Sequence, residues 1–220
     1  MRKALLCIFL FVAVTLTAQT VPTAAAPQSG GSIALPAAAH TGGMSLNEAL
    51  ATRRSVRSFE ETKITMEEIG QLLWSAQGVT SDKAQRTAPS AHALYFLHLY
   101  VARAEGFFEY IPALHALQPI SEKDLRATLS TQETVKKAPV VFLIAGEYER
   151  AARGVERATA ERLVNLEAGH AAQNLLLEAT ALKLGAVPVG GIDPKQTAAA
   201  AGLPAGIVPV YLIPVGHPKK

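Results

Sequence analysis

Apolar residues recur along this chain at two spacings, and the spacing predicts the elements. From Ser45 the positions Leu46, Ala49 and Leu50 repeat as a helix face does, and Ile69, Leu72, Leu73 and Ala76 repeat the pattern. Each run opens on a hydroxyl residue placed three positions before a glutamate, Ser45 before Glu48 and Thr65 before Glu68. That is the spacing of a capping box, in which the two side chains satisfy backbone donors left open at a helix start. The first helix delivers Arg53 and Arg54 to its last turn, Val56 and Phe59 anchor the exit, and Gly78 ends the second helix. Residues 79–92 are polar and read as a loop. From Ala93 to Ala102 the crowding of aromatic and aliphatic residues predicts a strand, Gly106 turns it, and Phe107 to Tyr110 return as a second one. A helix is expected from Ser121 to Ser130, with Asp124 at the box position, and Val140 to Ala145 form a strand covered on both faces.

The longest helix is expected from Thr159 to Leu184. Its second half is apolar on nearly every face, which calls for burial all round, in the core and against a second subunit. Gly185 ends it, Ala186 to Val189 form a short strand, and Asp193 with Pro194 start a short helix that Gly202 stops. Ile207 to Val215 close the chain as a strand carrying Pro209 and Pro214, so it is expected at an edge or in an irregular pairing. Helices and strands interleaved in this order make an α/β (α+β) chain.

The N-terminal stretch follows a different logic. Arg2 and Lys3 precede an uncharged apolar run, Ala4 to Val14, and a small-residue zone ends at Ala18. This is the build of a secretory signal peptide, residues 1–18, too short in its apolar part to span a membrane. Residues 19–44 are rich in Ala, Pro, Gly, Ser and Thr and read as a flexible linker, with order expected from Ser45 and one domain over 45–220. The expected location is outside the cytoplasm, periplasmic or secreted, with no stable membrane insertion after cleavage.

Composition then narrows the chemistry. Hydrophobic residues make up 49% of the chain and charged ones 18%, enough for a core. The single cysteine, Cys7, lies in the leader, so the mature chain has no disulfide, no thiolate nucleophile and no cysteine-held metal. Without Arg2 and Lys3 the charges nearly cancel, which removes any global attraction to nucleic acid. The six histidines fall at no metal-ligand spacing; Glu167 and His170 are three apart, but the second Glu-x-x-His that a di-iron bundle needs is missing. No Gly-x-Ser-x-Gly elbow, Walker loop or Gly-x-Gly-x-x-Gly turn is present.

Three loop segments remain. Arg53, Arg54, Ser55 and Arg57 make a basic cluster suited to phosphate oxygens. Pro89, Ser90 and Ala91 form a stiff turn of small residues, and Pro188, Val189, Gly190 and Gly191 leave a strand end where a ligand can approach the backbone. Singly each reads as an ordinary turn or a solvated helix end. Together they fit a flat, phosphorylated ligand such as flavin mononucleotide.

With these residues in view the chain resembles the FMN-dependent nitroreductase family. The matching stretches are Arg53 to Phe59, Arg86 to Ser90 running into Ala93 to Tyr95, Tyr110 to Leu117, Gln132 to Pro139, Gly169 to Leu175, Leu184 to Gly191 and Pro214 to Pro218. The branch it most resembles contains the dehydrogenases of thiazole and oxazole peptide maturation. The resemblance implies a three-layer fold, a mixed and mainly antiparallel sheet flanked by helices, in an intertwined homodimer with FMN at the interface. It implies that Arg53, Arg54, Ser55 and Arg57 hold the cofactor, that Pro89, Ser90 and Ala91 come from the partner chain, and that Pro188 to Gly191 flank the ring. Gln132 is a further contact, and Lys219 stands where the family carries a basic residue after its terminal Gly-x-Pro. His92 occupies a position where the branch has glycine, and Phe96 one where it has proline. The implied activity is ping-pong hydride transfer from NADH or NADPH to a nitroaromatic, quinone or similar small acceptor, with Tyr95 and His92 the side chains to test for catalysis. The alternatives are an FMN-dependent dehydrogenase of an organic or peptide substrate, and a non-catalytic flavin-binding protein.

Overall fold

The apolar run at Val140 becomes the middle of the molecule. In the computed structural model, which describes residues 31–219, one sheet is built from β1 (Ile33–Ala34), β2 (Leu97–Arg103), β3 (Gly106–Ile111), β4 (Ala116–Ser121), β5 (Val140–Glu147), β6 (Gly185–Ala186) and β7 (Ile207–Gly216). The spatial order is β1-β4-β3-β2-β5-β7-β6, and every named pair runs antiparallel. The helices are α1 (Leu46–Thr52), α2 (Met66–Gln77), α3 (Glu133–Lys136), α4 (Tyr148–Ala151), α5 (Arg157–Ala181) and α6 (Pro194–Ala201).

The pleat of β5 sorts these into three layers. Val140, Phe142 and Ile144 face a core shared with α2 and α5, while Val141, Leu143 and Ala145 face a second core shared with Val135 of α3 and Ala201 of α6. All six are buried, and each large apolar side chain removed from water contributes about 1.5–3 kcal/mol. The fold is thus α+β, with an antiparallel sheet between two helical layers.

Several local expectations hold. Thr65 and Glu68 form the complete capping box of α2, whereas at α1 only the Ser45 half forms, its hydroxyl accepting from the Glu48 amide. Asp193 caps α6 with Pro194 in its first turn, and Gly202 ends it in the left-handed conformation at φ 62°. The stop of α5 differs from expectation. Lys183 takes the left-handed position at φ 60°, and the Leu184 amide reaches back to the Ala179 carbonyl. Gly185 serves close packing instead.

Three expectations are corrected. Residues 122–130 form turns, not a helix. The Asp124 carboxylate is taken by the Arg126 guanidinium at 2.6 Å, and Nη1 of Arg126 donates to the carbonyls of Ala138 and Pro139 at 2.9 Å each. Those long-range bonds replace the cap. Second, β7 is not peripheral, since it pairs with β5 along its length and carries β6 on its other side. Pro209 is accommodated at a bulge, where Tyr211 faces Ile144 and Pro209 faces Ala145, leaving Val210 as the extra residue, which is the irregular pairing the sequence allowed for; Pro214 sits in regular register opposite Val141. Third, order begins before Ser45. Ile33 and Ala34 pair with Leu117 and Ala116, Leu35 is buried, the backbone of Ala39 exchanges two hydrogen bonds with the Gln71 amide group, and His40 stacks on Trp74 at 4.6 Å. The segment read as the signal peptide, and residues 19–30 of the linker, lie outside the described residues.

Candidate functional site

Gly185 determines where the arginine cluster sits. A Cβ there would meet Val56 Cγ1 at 2.6 Å, so only glycine admits Val56 to that depth. The Val56 amide donates to the Ala186 carbonyl at 3.0 Å, and Ser55 bridges Ala186 in parallel. This seats residues 53–57 against the strand that runs on to Pro188. The exit segment continues along the C-terminal residues. The Glu60 amide donates to the His217 carbonyl at 2.9 Å and the Lys219 amide to the Ser58 carbonyl at 3.0 Å. Lys219 is thereby placed beside Arg57.

Gln132 joins the same face from the other side. Its side-chain amide donates to the Gly191 carbonyl at 3.0 Å. Val189 exchanges backbone hydrogen bonds with Leu212, and the following Gly190 rests over Tyr211, whose ring carbon would lie 3.2 Å from a Cβ at that position. Gly190 and Gly191 are exposed. A cavity of about 900 Å³ opens between Arg57, Ser58 and Lys219 on one wall and Glu133, Thr134 and Lys137 on the other. Four of the five predicted segments thus converge: Arg53 to Arg57, Gln132, Pro188 to Gly191, and Lys219.

The arginines do not play equal parts. Nη1 of Arg54 donates to the carbonyls of Ala51 and Arg53 at 3.1 and 2.7 Å, closing the end of α1. Among the described residues Arg53 and Arg57 have no carboxylate within ion-pair distance. Arg57 and Lys219 line the cavity together, with Glu60, Glu61 and Glu133 also on its walls, and an uncommitted guanidinium beside a lysine suits an anion with several oxygens.

Pro89, Ser90 and Ala91 stand on a different support. Among the described residues no hydrogen bond links them to the arginine face. The Thr87 carbonyl accepts from Asn174 of α5 at 3.4 Å, and the Ser90 hydroxyl accepts from the Tyr95 amide at 2.8 Å. The turn between them is strained, with His92, Ala93 and Tyr95 at φ 54°, 54° and 51°. His92, at the position where a glycine was expected, is exposed in this left-handed conformation. The Tyr95 ring lies under the Arg86 guanidinium at 4.4 Å, and Arg86 donates to Gln77 at 3.1 Å. Burial pulls the Arg86 guanidinium below its usual value, with Glu167 and Tyr95 acting in the opposite sense. Phe96, expected as proline, is buried in the core.

Sequence reasoning weighed Glu167 only as a metal ligand with His170 and missed its burial. It is 2% exposed on α5, and burial raises its carboxyl above the usual range. The signal was present as an acidic residue in register with Ala160, Val164, Ala168 and Ala171, all of them buried.

A family model described as the nitroreductase family matches residues 50–217. A Methanocaldococcus jannaschii protein is 36% identical over 182 residues, 78% of this chain and 90% of its own length. A solved structure from Ralstonia eutropha is 28% identical, covers 92% of this chain and 96% of its own, and superposes with a TM-score of 0.82. Another, from Desulfovibrio desulfuricans and solved in complex with FMN, is 25% identical, covers 80% of this chain and 87% of its own, and gives a TM-score of 0.60. All three carry the designation "putative nitroreductase".

Proposed function

Because the chain belongs to the nitroreductase family, we propose that it is an FMN-dependent oxidoreductase passing hydride from NADH or NADPH to a nitroaromatic, quinone or similar small acceptor. The observation that carries this reading is that backbone and side-chain bonds tie the Arg53–Arg57 segment, Gln132, the Gly190–Gly191 pair and Lys219 to one another, with Arg57 and Lys219 lining an open cavity. The residues present fit the cofactor, with cations for a phosphate and small exposed glycines where a flat ring can approach the backbone.

When bound, FMN supplies the two-electron chemistry, and the protein supplies orientation and electrostatics. Arg53, Arg57 and Lys219 hold the phosphate, and the Ser55 hydroxyl bonds the ribityl chain. The backbone of Pro188 to Gly191 lies along the ring, steadied by Gln132 on the Gly191 carbonyl. Pro89, Ser90 and Ala91 complete the site from a second copy. Leu46 and Leu50 on α1 and Leu166 on α5 support that homodimer, being 64%, 53% and 49% exposed on helices that pack together. The finer placement, in the branch of the thiazole- and oxazole-forming dehydrogenases, is our reading of the seven sequence motifs. Export is the remaining part of the proposal and rests on Arg2 and Lys3 ahead of the apolar run.

The test is the visible spectrum of the purified full-length chain, followed by anaerobic mixing with NADH and with NADPH. A yellow protein bleached by either donor is expected. A colourless protein that takes up no added FMN sinks the reading, and a yellow protein bleached by neither donor sinks the reductase assignment. Fractionation of expressing cells is expected to find a shortened chain outside the cytoplasm.

A further inference from the structure

The Ser90–Phe96 turn holds three side-chain-bearing residues in the left-handed conformation within four positions. Such a turn persists only where its surroundings fix it from several sides. Two fixings are plain, the Tyr95 amide on the Ser90 hydroxyl at 2.8 Å and the Glu147 amide on the Phe96 carbonyl at 2.9 Å. Beneath the turn lies Glu167. Its two carboxyl oxygens are buried and, among the described residues, have no hydrogen-bond partner at bonding geometry. The groups that face them are the Ser90 hydroxyl and the Phe96 amide, the two ends of the strained turn.

Close packing holds Glu167 there. One helical turn earlier, Val164 presses on Gly146 of β5, where a Cβ would meet Val164 Cγ1 at 2.2 Å. Gly146 therefore lets α5 sit deep against the sheet, and Glu167 follows on the same face of the helix.

We infer that Glu167 is the positioning residue of this turn, held as the neutral acid, its hydroxyl donating to Ser90 Oγ while its carbonyl oxygen accepts from the Phe96 amide. An ionised carboxylate at this depth needs several compensating donors at bonding geometry, and among the described residues neither oxygen has one. The neutral form needs one acceptor and one donor, and the turn offers one of each. The charged and titratable groups around it are Arg86 and Arg150, with Tyr95 and Tyr110 beside Arg86. The first-named arginine already rests on the Tyr95 ring and Gln77. Ordinary burial of a charged pair, with Arg86 as counter-ion, is the competing arrangement, and the experiment separates the two.

The inference bears on function through the reading that Pro89, Ser90 and Ala91 contact FMN, but its test does not depend on that reading. Infrared spectra of the full chain and of Glu167→Gln at neutral pH are compared for the carbonyl stretch of a protonated carboxyl. That band is expected in the wild type and absent in the variant; no such difference overturns the neutral acid. Backbone hydrogen exchange at Tyr95 and Phe96 is then followed in the wild type, Glu167→Gln and Glu167→Ala. Glu167→Gln, which keeps one donor and one acceptor, is expected to stay within about threefold of wild type, and Glu167→Ala to exchange at least about tenfold faster. Unchanged exchange in Glu167→Ala overturns the positioning role, and fast exchange in Glu167→Gln points to an ion pair with Arg86 and overturns the assignment. FMN retention is expected to fall in Glu167→Ala and to persist in Glu167→Gln. If none of the three chains holds FMN, the cofactor reading fails while band and exchange still decide Glu167.

Discussion

The side-chain amide of Gln132 donates to the carbonyl of Gly191 across 59 residues of sequence, at 3.0 Å. The bond ties the start of α3 to the glycine pair that follows β6. Gln132 is exposed, so its removal costs the fold little, about 0.5–1.5 kcal/mol at most. The larger effect is expected on the ligand. Gln132→Ala frees the Gly191 peptide to rotate and is expected to weaken FMN affinity several-fold with the melting temperature almost unchanged. Titration of apoprotein by flavin fluorescence, alongside thermal unfolding, checks both halves.

Arg53 and Arg57 carry the sharper expectation. A hydrogen bond to a charged group contributes about 1.5–3 kcal/mol, and about 1.4 kcal/mol is tenfold in affinity. Arg53→Ala together with Arg57→Ala is therefore expected to raise the FMN dissociation constant by about a hundredfold. Arg54→Ala should leave it within a few-fold, because that guanidinium is already committed to the carbonyls of Ala51 and Arg53. Added salt should weaken wild-type binding more than that of the double variant, since screening acts on the charges the variant lacks. Equal losses in Arg54→Ala and in the double variant would refute the division of roles.

What could be read in the sequence was whatever lies within a few residues of itself. Thr65 and Glu68 announce α2 because their bonds close inside one turn, and Asp193, Pro194 and Gly202 bound α6 for the same reason. The turns at 122–130 were misread because Arg126 is held by carbonyls 12 and 13 residues away, which no local pattern encodes. The residues after Gly31 look like a tether in composition, yet Gln71, Trp74 and Leu117 hold them in place from distant parts of the chain. The site shows the same division. Its segments were each visible, but their meeting depends on Val56 against Gly185 and Lys219 against Ser58, contacts made only after the sheet forms. Glu167 was weighed for metal binding with His170, whereas its position beneath the Ser90–Phe96 turn is a property of packing.

His92 gives a prediction in the stabilising direction. It is exposed at φ 54°, a conformation costing an L-residue about 1–2 kcal/mol, which glycine avoids. Glycine's greater freedom in the unfolded chain offsets about 0.5–1 kcal/mol of that gain. His92→Gly is therefore expected to stabilise the protein by up to about 1 kcal/mol, a rise of roughly 2–4 °C in melting temperature at this chain length. If turnover survives in His92→Gly, the imidazole is not needed for proton transfer; a large loss with FMN still bound would restore it as a catalytic candidate.

Acid sensitivity should centre in part on Glu105. Its carboxylate accepts from Arg103 at 2.6 Å and from Lys63 at 3.1 Å. These partners, Arg103 foremost, hold it down from 4.5 to about 2 in the folded chain. A depressed value means that the unfolded chain binds the proton more tightly. The stabilisation is therefore fully present above about pH 4.5 and is lost as pH falls toward about 2. Because the side chain is 43% exposed, solvent screening keeps the effect small. Glu105→Gln removes the titrating group, so its stability deficit relative to wild type should be largest at neutral pH and should shrink as the solution is acidified through that window. Paired urea unfolding of the two proteins across the window measures the difference directly, and a deficit that stays constant with pH would mean that the carboxylate contributes through packing and not through its charge.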